Sequence, residues 1–220
     1  MILIITNLLM CICAAVGFVN GAILFYKNNQ PLYSQMATSA LGCAALGRLY
    51  NIAVIFCGDG IPRTFNTGML AGIGCFLFLF CANFGQMDSL CDMDDPQNKP
   101  IRFLALLAPL VLIWTGVFIV AMSPERLIYK VTLVIVLLVI MLASYYNLKH
   151  LLIHDVEFGI IRSIRGYNLV VLLLELLSSA EIGLTAFSLE KPLIPVQLLM
   201  CVCFVVMIPA LKKGGQQWKI

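Results

Sequence analysis

Charge is what this sequence has least of. Asp, Glu, Lys and Arg make up 11% of its 220 residues, and hydrophobic residues make up 61%. A soluble domain carries about 25% charged residues, so with a mean hydropathy of +0.99 a water-soluble globule is excluded. The net charge of +3 is small, and the basic residues fall in short loops rather than in a patch, which leaves no nucleic-acid partner to expect. The nine cysteines include no Cys-x-x-Cys, so neither a zinc knuckle nor a thiol redox motif is indicated. Most of them lie inside apolar blocks, where a thiol packs as a small hydrophobe. No Gly-x-Ser-x-Gly elbow, His-Glu-x-x-His pair or phosphate-binding loop occurs. The last apolar block lacks the lysine that a retinal Schiff base requires. Enzyme chemistry, a cofactor and a bound metal are therefore not expected.

What the chain does have is apolar blocks. A helix crosses a bilayer with about 20 mostly apolar residues, and seven such blocks stand at about 1–26, 33–57, 67–86, 103–122, 127–146, 167–188 and 193–211. Gly60-Ile61-Pro62, Asp95-Pro96, Ser123-Pro124 and Lys191-Pro192 fall between them, as helix breakers should. The expectation is an all-α, polytopic integral membrane protein, a seven-transmembrane-helix bundle forming a single transmembrane domain over 1–220. The first block has no Lys or Arg before Lys27; it lacks the basic region of a secretory signal and reads as a retained span. Lys and Arg concentrate on the cytoplasmic side of short loops. With the N-terminus outside, Lys27, Lys99, Arg102, Lys149, Arg162, Arg165, Lys212, Lys213 and Lys219 lie inside, against Arg63, Arg126, Lys130 and Lys191 outside. The topology is N-outside, C-inside, in a plasma or inner membrane, with the lipid bilayer as its surroundings.

Ionisable groups inside the blocks carry the functional signal, because a charge at the bilayer centre costs about 2.5–3.5 kcal/mol on insertion scales. Arg48 falls in span two, and Glu175 and Glu181 in span six. Both spans run from inside to outside. At about 1.5 Å per residue, Arg48 is about 22 Å from its inner end, Glu181 about 21 Å and Glu175 about 12 Å. Arg48 and Glu181 are level, and a carboxylate–guanidinium pair there offsets both insertion costs. Spans two and six are thus expected to face each other. Ser178 lies three residues from each glutamate, which puts Glu175, Ser178 and Glu181 on one drifting stripe. Tyr50, Asn51 and Asn7 share the depth of Arg48. An outward-facing polar pocket is one reading of this cluster, and a buried pair that only fixes helix register is the other.

Two cytoplasmic groups are candidate partner surfaces. Asp88, Asp92, Asp94 and Asp95 form an acidic run after span three, suited to a basic partner. Together with Asp59-Gly60 and Arg63, the Gly85…Asp88…Asp92 spacing is similar to the aspartate motif of CDP-alcohol phosphotransferases. The first aspartate and the alanine before the arginine are missing, however, and span three separates Asp59 from Asp88 across the bilayer. His150 and His154 stand four residues apart; without a third ligand they read as part of an interfacial amphipathic segment from Leu148 to Ile164.

Finally, Arg48-Leu-Tyr-Asn-Ile-Ala-Val-Ile-Phe resembles Arg165-Gly-Tyr-Asn-Leu-Val-Val-Leu-Leu at an offset of 117. With span four as linker, a 3+1+3 parallel repeat resembles the SWEET and vitamin-transporter families, although their helix-bending prolines are missing from spans one and five. Parallel repeats are a transporter plan. The leading expectation is a receptor-like, sensory seven-helix module that binds a small-molecule ligand through Arg48, Tyr50, Asn51, Glu175, Ser178 and Glu181. Such a module signals to a separate cytoplasmic protein partner. A small-solute transporter using the same charges is the second reading, and a non-catalytic membrane subunit or scaffold the third.

Overall fold

Long runs of Leu, Ile, Val, Ala and Phe leave the backbone no polar partner but itself, and every regular element among the described residues is a helix. The computed structural model describes residues 2–26, 31–58, 63–84, 99–153 and 160–216. Its helices are α1 (Ile2–Phe25), α2 (Leu32–Cys57), α3 (Thr67–Ala82), α4 (Lys99–Ala105), α5 (Leu107–Met122), α6 (Leu127–Leu152), α7 (Ile160–Ala186) and α8 (Glu190–Gln216). Taking α4 and α5 as one interrupted rod, six of them are long and apolar enough to cross a membrane. The α-helical part of α3 is apolar but shorter, at 16 residues, so the block expected over 67–86 is described as regular helix only to Ala82. A π turn at Asn83 and Phe84 follows it.

The boundaries have local causes. The Asn66 side chain accepts the backbone N–H of Met69 at 3.1 Å and so caps the start of α3. The α4–α5 break at Leu106 follows from Pro109, which has no N–H to give the Ala105 carbonyl and whose ring crowds it. Lys191-Pro192, expected between helices, instead lies in the first turn of α8, where a missing N–H costs nothing. Helix α6 runs on to Leu152, past the expected end at Tyr146, so no separate amphipathic segment starts at Leu148. The acidic run Asp88, Asp92, Asp94, Asp95 and the second histidine, His154, lie outside the described residues.

Packing closes a ring in the order α1–α2–α3–α6–α7–α8 and back to α1, with α4 lying on α6 and α5 on α6 and α7. The two triples α1–α3 and α6–α8 follow each other around the ring in the same sense. The local match of Arg48 with Arg165 pairs α2 with α7, the middle helices of the two triples, but not at the same depth. Arg48 lies past the middle of α2, whereas Arg165 is in the second turn of α7 and donates to the Ile153 carbonyl at 3.0 Å. The main core joins Met10, Leu41, Phe76, Leu79, Ile140, Tyr167, Leu174, Phe204 and Met207. A second cluster of Ile119, Tyr129, Leu133, Leu137 and Ala186 seats α5.

Polarity is distributed inside out. Phe103, Trp114 and Ile128 are 78%, 73% and 74% exposed, whereas Asn83, Asn147, His150, Asn168 and Glu175 are 0% exposed. That pattern suits a hydrocarbon surround, in which the interior must satisfy the polar groups.

Helices α1 and α8 approach closely at Gly17, where a Cβ atom would stand 2.9 Å from the Phe204 carbonyl oxygen and 2.9 Å from Leu41 Cδ1. Small residues permit such contacts between apolar helices. Gly17→Val is expected to destabilise the folded protein by about 1–3 kcal/mol in chemical unfolding in detergent. Gly166→Ala, where a Cβ meets nothing within 4 Å, should stay within about 0.5 kcal/mol of wild type.

Candidate functional site

The ring places one cation and one anion opposite each other. Arg48 on α2 reaches Glu181 on α7 with both arms of its guanidinium, Nη1 donating to Oε1 at 2.7 Å and Nη2 to Oε2 at 2.5 Å. This fork-to-fork geometry is the strong form of the pair. Two amides from neighbouring helices complete the cluster. Gln197 on α8 donates Nε2 to Glu181 Oε1 at 2.9 Å. Asn7 on α1 turns its Oδ1 to Arg48 Nη1 at 3.5 Å, its own amide nitrogen held by the Leu3 carbonyl at 2.8 Å. Four ring helices thus meet at one ion pair.

The pair is neither sealed nor solvated. The Arg48 and Glu181 side chains keep 16% and 14% of their exposure, because they line a cavity of about 460 Å³ inside the ring. Asn51, Gly68, Met69, Phe76, Ser178 and Phe204 also line it. Gly68 is required for this shape: a Cβ atom there would stand 2.6 Å from Asn51 Oδ1 and 3.1 Å from the Tyr50 ring. Of the residues named from sequence, Arg48, Asn51, Ser178 and Glu181 share the cavity, and Tyr50 stands against Gly68 outside its lining.

One end of the cavity is framed by three loops. Arg63 pairs with Glu125 through Nη1 and Oε1 and donates Nη2 to Ser188 Oγ at 3.1 Å. Ser123 Oγ donates to the Ala186 carbonyl at 2.9 Å. The α2–α3, α5–α6 and α7–α8 connections therefore form one rim, where the Arg63 side chain is 60% exposed.

Glu175 lies elsewhere. About 9 Å along α7 from Glu181 at ~1.5 Å per residue, it leaves the cavity lining and takes a hydrogen bond from Asn147 Nδ2 at 2.7 Å. Asn147 Oδ1 in turn accepts from Asn83 Nδ2 at 2.7 Å, and Asn83 Oδ1 faces His150 Nδ1 at 3.1 Å. These four side chains are 0% exposed and form a chain from the bundle's interior toward the end opposite the rim. His150, expected on a cytoplasmic surface, is therefore a buried member of this chain. Ala143, Asn147 and His150 keep the inward helical spacing as α6 extends beyond Tyr146.

Gln197, Asn83 and Asn147 were not singled out from sequence. Gln197 is a lone amide in its apolar block, Asn83 shares its block with Gln86, and Asn147 falls one residue past the expected end of its own; an amide in or beside an apolar run was the available signal. Among the described residues, no group of three His, Cys, Asp or Glu side chains is placed to hold a metal ion. In comparisons with family models, curated proteins and solved structures, the chain matches none.

Two changes test the geometry. Arg48→Ala and Glu181→Ala each strand a charge and should cost about 3–5 kcal/mol; the double variant should cost clearly less than their sum in the same unfolding assay. Asn147→Leu removes the central link between Asn83 and Glu175 and should cost about 1–3 kcal/mol, read as a lower melting temperature.

Proposed function

We propose that the chain is a seven-span membrane protein, N-outside and C-inside, that moves a small polar solute by alternating access through the Arg48–Glu181 cavity. Seven crossings are supported by α3. It starts at the rim, where Asn66 and Gly68 line the cavity, and ends at Asn83 beside His150 near the far end of α6. With its π turn it covers about 27 Å at ~1.5 Å per residue, near the ~30 Å of a hydrocarbon core. The orientation is supported by the basic residues, which are sparse at the rim and concentrated at the other end. A plasma or inner membrane is the proposed location.

The observation that carries transport over reception is that polar side chains occupy both halves of the interior, the cavity in one and the Glu175 chain in the other. A ligand-sensing pocket needs a cavity at one face only. Here α7 carries Glu181 in the cavity and then Glu175 in a buried chain that continues to the opposite end. Around it stand two helix triples in like order, an arrangement suited to rocking about a central site. Rocking of one triple against the other would remake the polar links that cross between them, Arg48–Glu181 from α2 to α7 and Asn83–Asn147 from the end of α3 to α6.

The test is flux of a mixed metabolite pool in sealed proteoliposomes. Wild type should accumulate at least one component above empty liposomes; Glu181→Gln should reduce its rate by roughly tenfold or more through loss of the charge-assisted bond to Arg48, and Glu175→Gln should reduce it as well. Saturable binding with no flux, in folded protein, would move the assignment to a receptor, with the acidic run Asp88 to Asp95 as its candidate partner surface. Neither binding nor flux, with a co-purifying protein, would make it a membrane subunit.

A further inference from the structure

The cavity's charges are arranged for a ligand that carries both signs. We propose that its solute is a zwitterion with a carboxylate and an ammonium close together and an apolar remainder, the chemistry of a free aliphatic or aromatic amino acid. This rests on the reading of the cavity as the solute site.

Charge comes first. Deep in the lining, Arg48 and Glu181 cancel; at the rim, Arg63 is paired with Glu125, and Glu190 at the start of α8 is exposed. An anionic solute that took Arg48 would strand Glu181, and a cationic one that took Glu181 would strand Arg48, each a costly state in a low-dielectric interior. A zwitterion strands neither. Its carboxylate accepts the guanidinium fork that Glu181 now occupies, and its ammonium replaces that guanidinium at Glu181. One ion pair becomes two, a bidentate one at Arg48 and a point-charge one at Glu181, with no change in net buried charge.

Hydrogen-bond inventory gives an independent indication. Gln197 is 2% exposed and lines the cavity. Its Nε2 must face the Glu181 carboxylate, which only accepts, so its Oε1 is the free acceptor; among the described residues that atom has no partner. Asn7 Oδ1 has only the long 3.5 Å approach of Arg48. The cluster is thus short of donors beside Glu181, and an ammonium supplies three. Met69, Phe76, Leu133, Val136 and Phe204 give the same lining its apolar surface. The volume of about 460 Å³ is within the ~300–1,000 Å³ of small-molecule sites.

The experiment is equilibrium binding of radiolabelled L-leucine to the purified wild-type protein in detergent, with competition by leucinamide, N-acetylleucine and N-acetylleucinamide. Saturable leucine binding is expected. Each singly blocked derivative should compete roughly tenfold or more weakly, because each loses one charge-assisted contact, and the doubly blocked one should not compete. Glu181→Gln should lose leucine binding and should bind radiolabelled N-acetylleucine directly and more tightly than wild type does, since Arg48 is then free. Competition by N-acetylleucinamide equal to leucine's, or no binding of any free amino acid to folded wild type, would overturn the proposal. The derivative series uses only wild-type protein, so a variant that misfolds leaves it decisive. Leucine binding without flux would overturn transport while leaving the ligand class in place. Flux of another solute without amino-acid binding would do the reverse.

Discussion

An arginine and a glutamate placed in the middle of apolar helices leave the bundle few ways to fold. In a hydrocarbon surround each alone would carry an insertion cost of about 2.5–3.5 kcal/mol, which their mutual contact offsets. Arg48 and Glu181 meet through both arms of the guanidinium, which binds α2 to α7 although the ring order makes neither the other's direct neighbour. Gln197 and Asn7 attach to the same pair from α8 and α1. The interior consequently gathers around one point, and the space around that point is the cavity.

The second polar assembly has a different character. Asn83, Asn147 and Glu175 are linked by donors that all point toward the carboxylate, Asn83 Nδ2 to Asn147 Oδ1 and Asn147 Nδ2 to Glu175 Oε1. Aligned amides polarise one another and strengthen together in a low-dielectric interior. They lock α3, α6 and α7 at the end away from the rim, while the ion pair holds α1, α2, α7 and α8 nearer to it. Helix α7 belongs to both sets, and the links that cross between the two triples are Arg48–Glu181 and Asn83–Asn147.

Much of this was legible in the sequence, for reasons that can be stated residue by residue. Spans were readable because an apolar run of membrane length has one common fold. Arg48 and Glu181 could be brought together because helix rise converts sequence position into depth. Facing was harder. Glu175 has the helical spacing to share a stripe with Ser178 and Glu181, yet helical drift over two turns carries it to Asn147 on another neighbour. His150 reads as interfacial beside charged residues, but α6 continues and turns it inward. Gln197, Asn83 and Asn147 are averaged away by hydropathy windows, and only their partners reveal their purpose. The α4–α5 break depended on one proline inside an apolar run, where the clash is at Ala105, four residues earlier.

The most direct measurement is two-sided access to the cavity. Ser178 lines it between the two carboxylates, and a Ser178→Cys variant in an otherwise cysteine-free chain can be exposed to a membrane-impermeant thiol reagent from either face of oriented proteoliposomes. The account predicts labelling from the rim side in one population and from the opposite side in another, with added solute shifting the balance between them. Labelling from one face only, whatever the solute, would contradict alternating access.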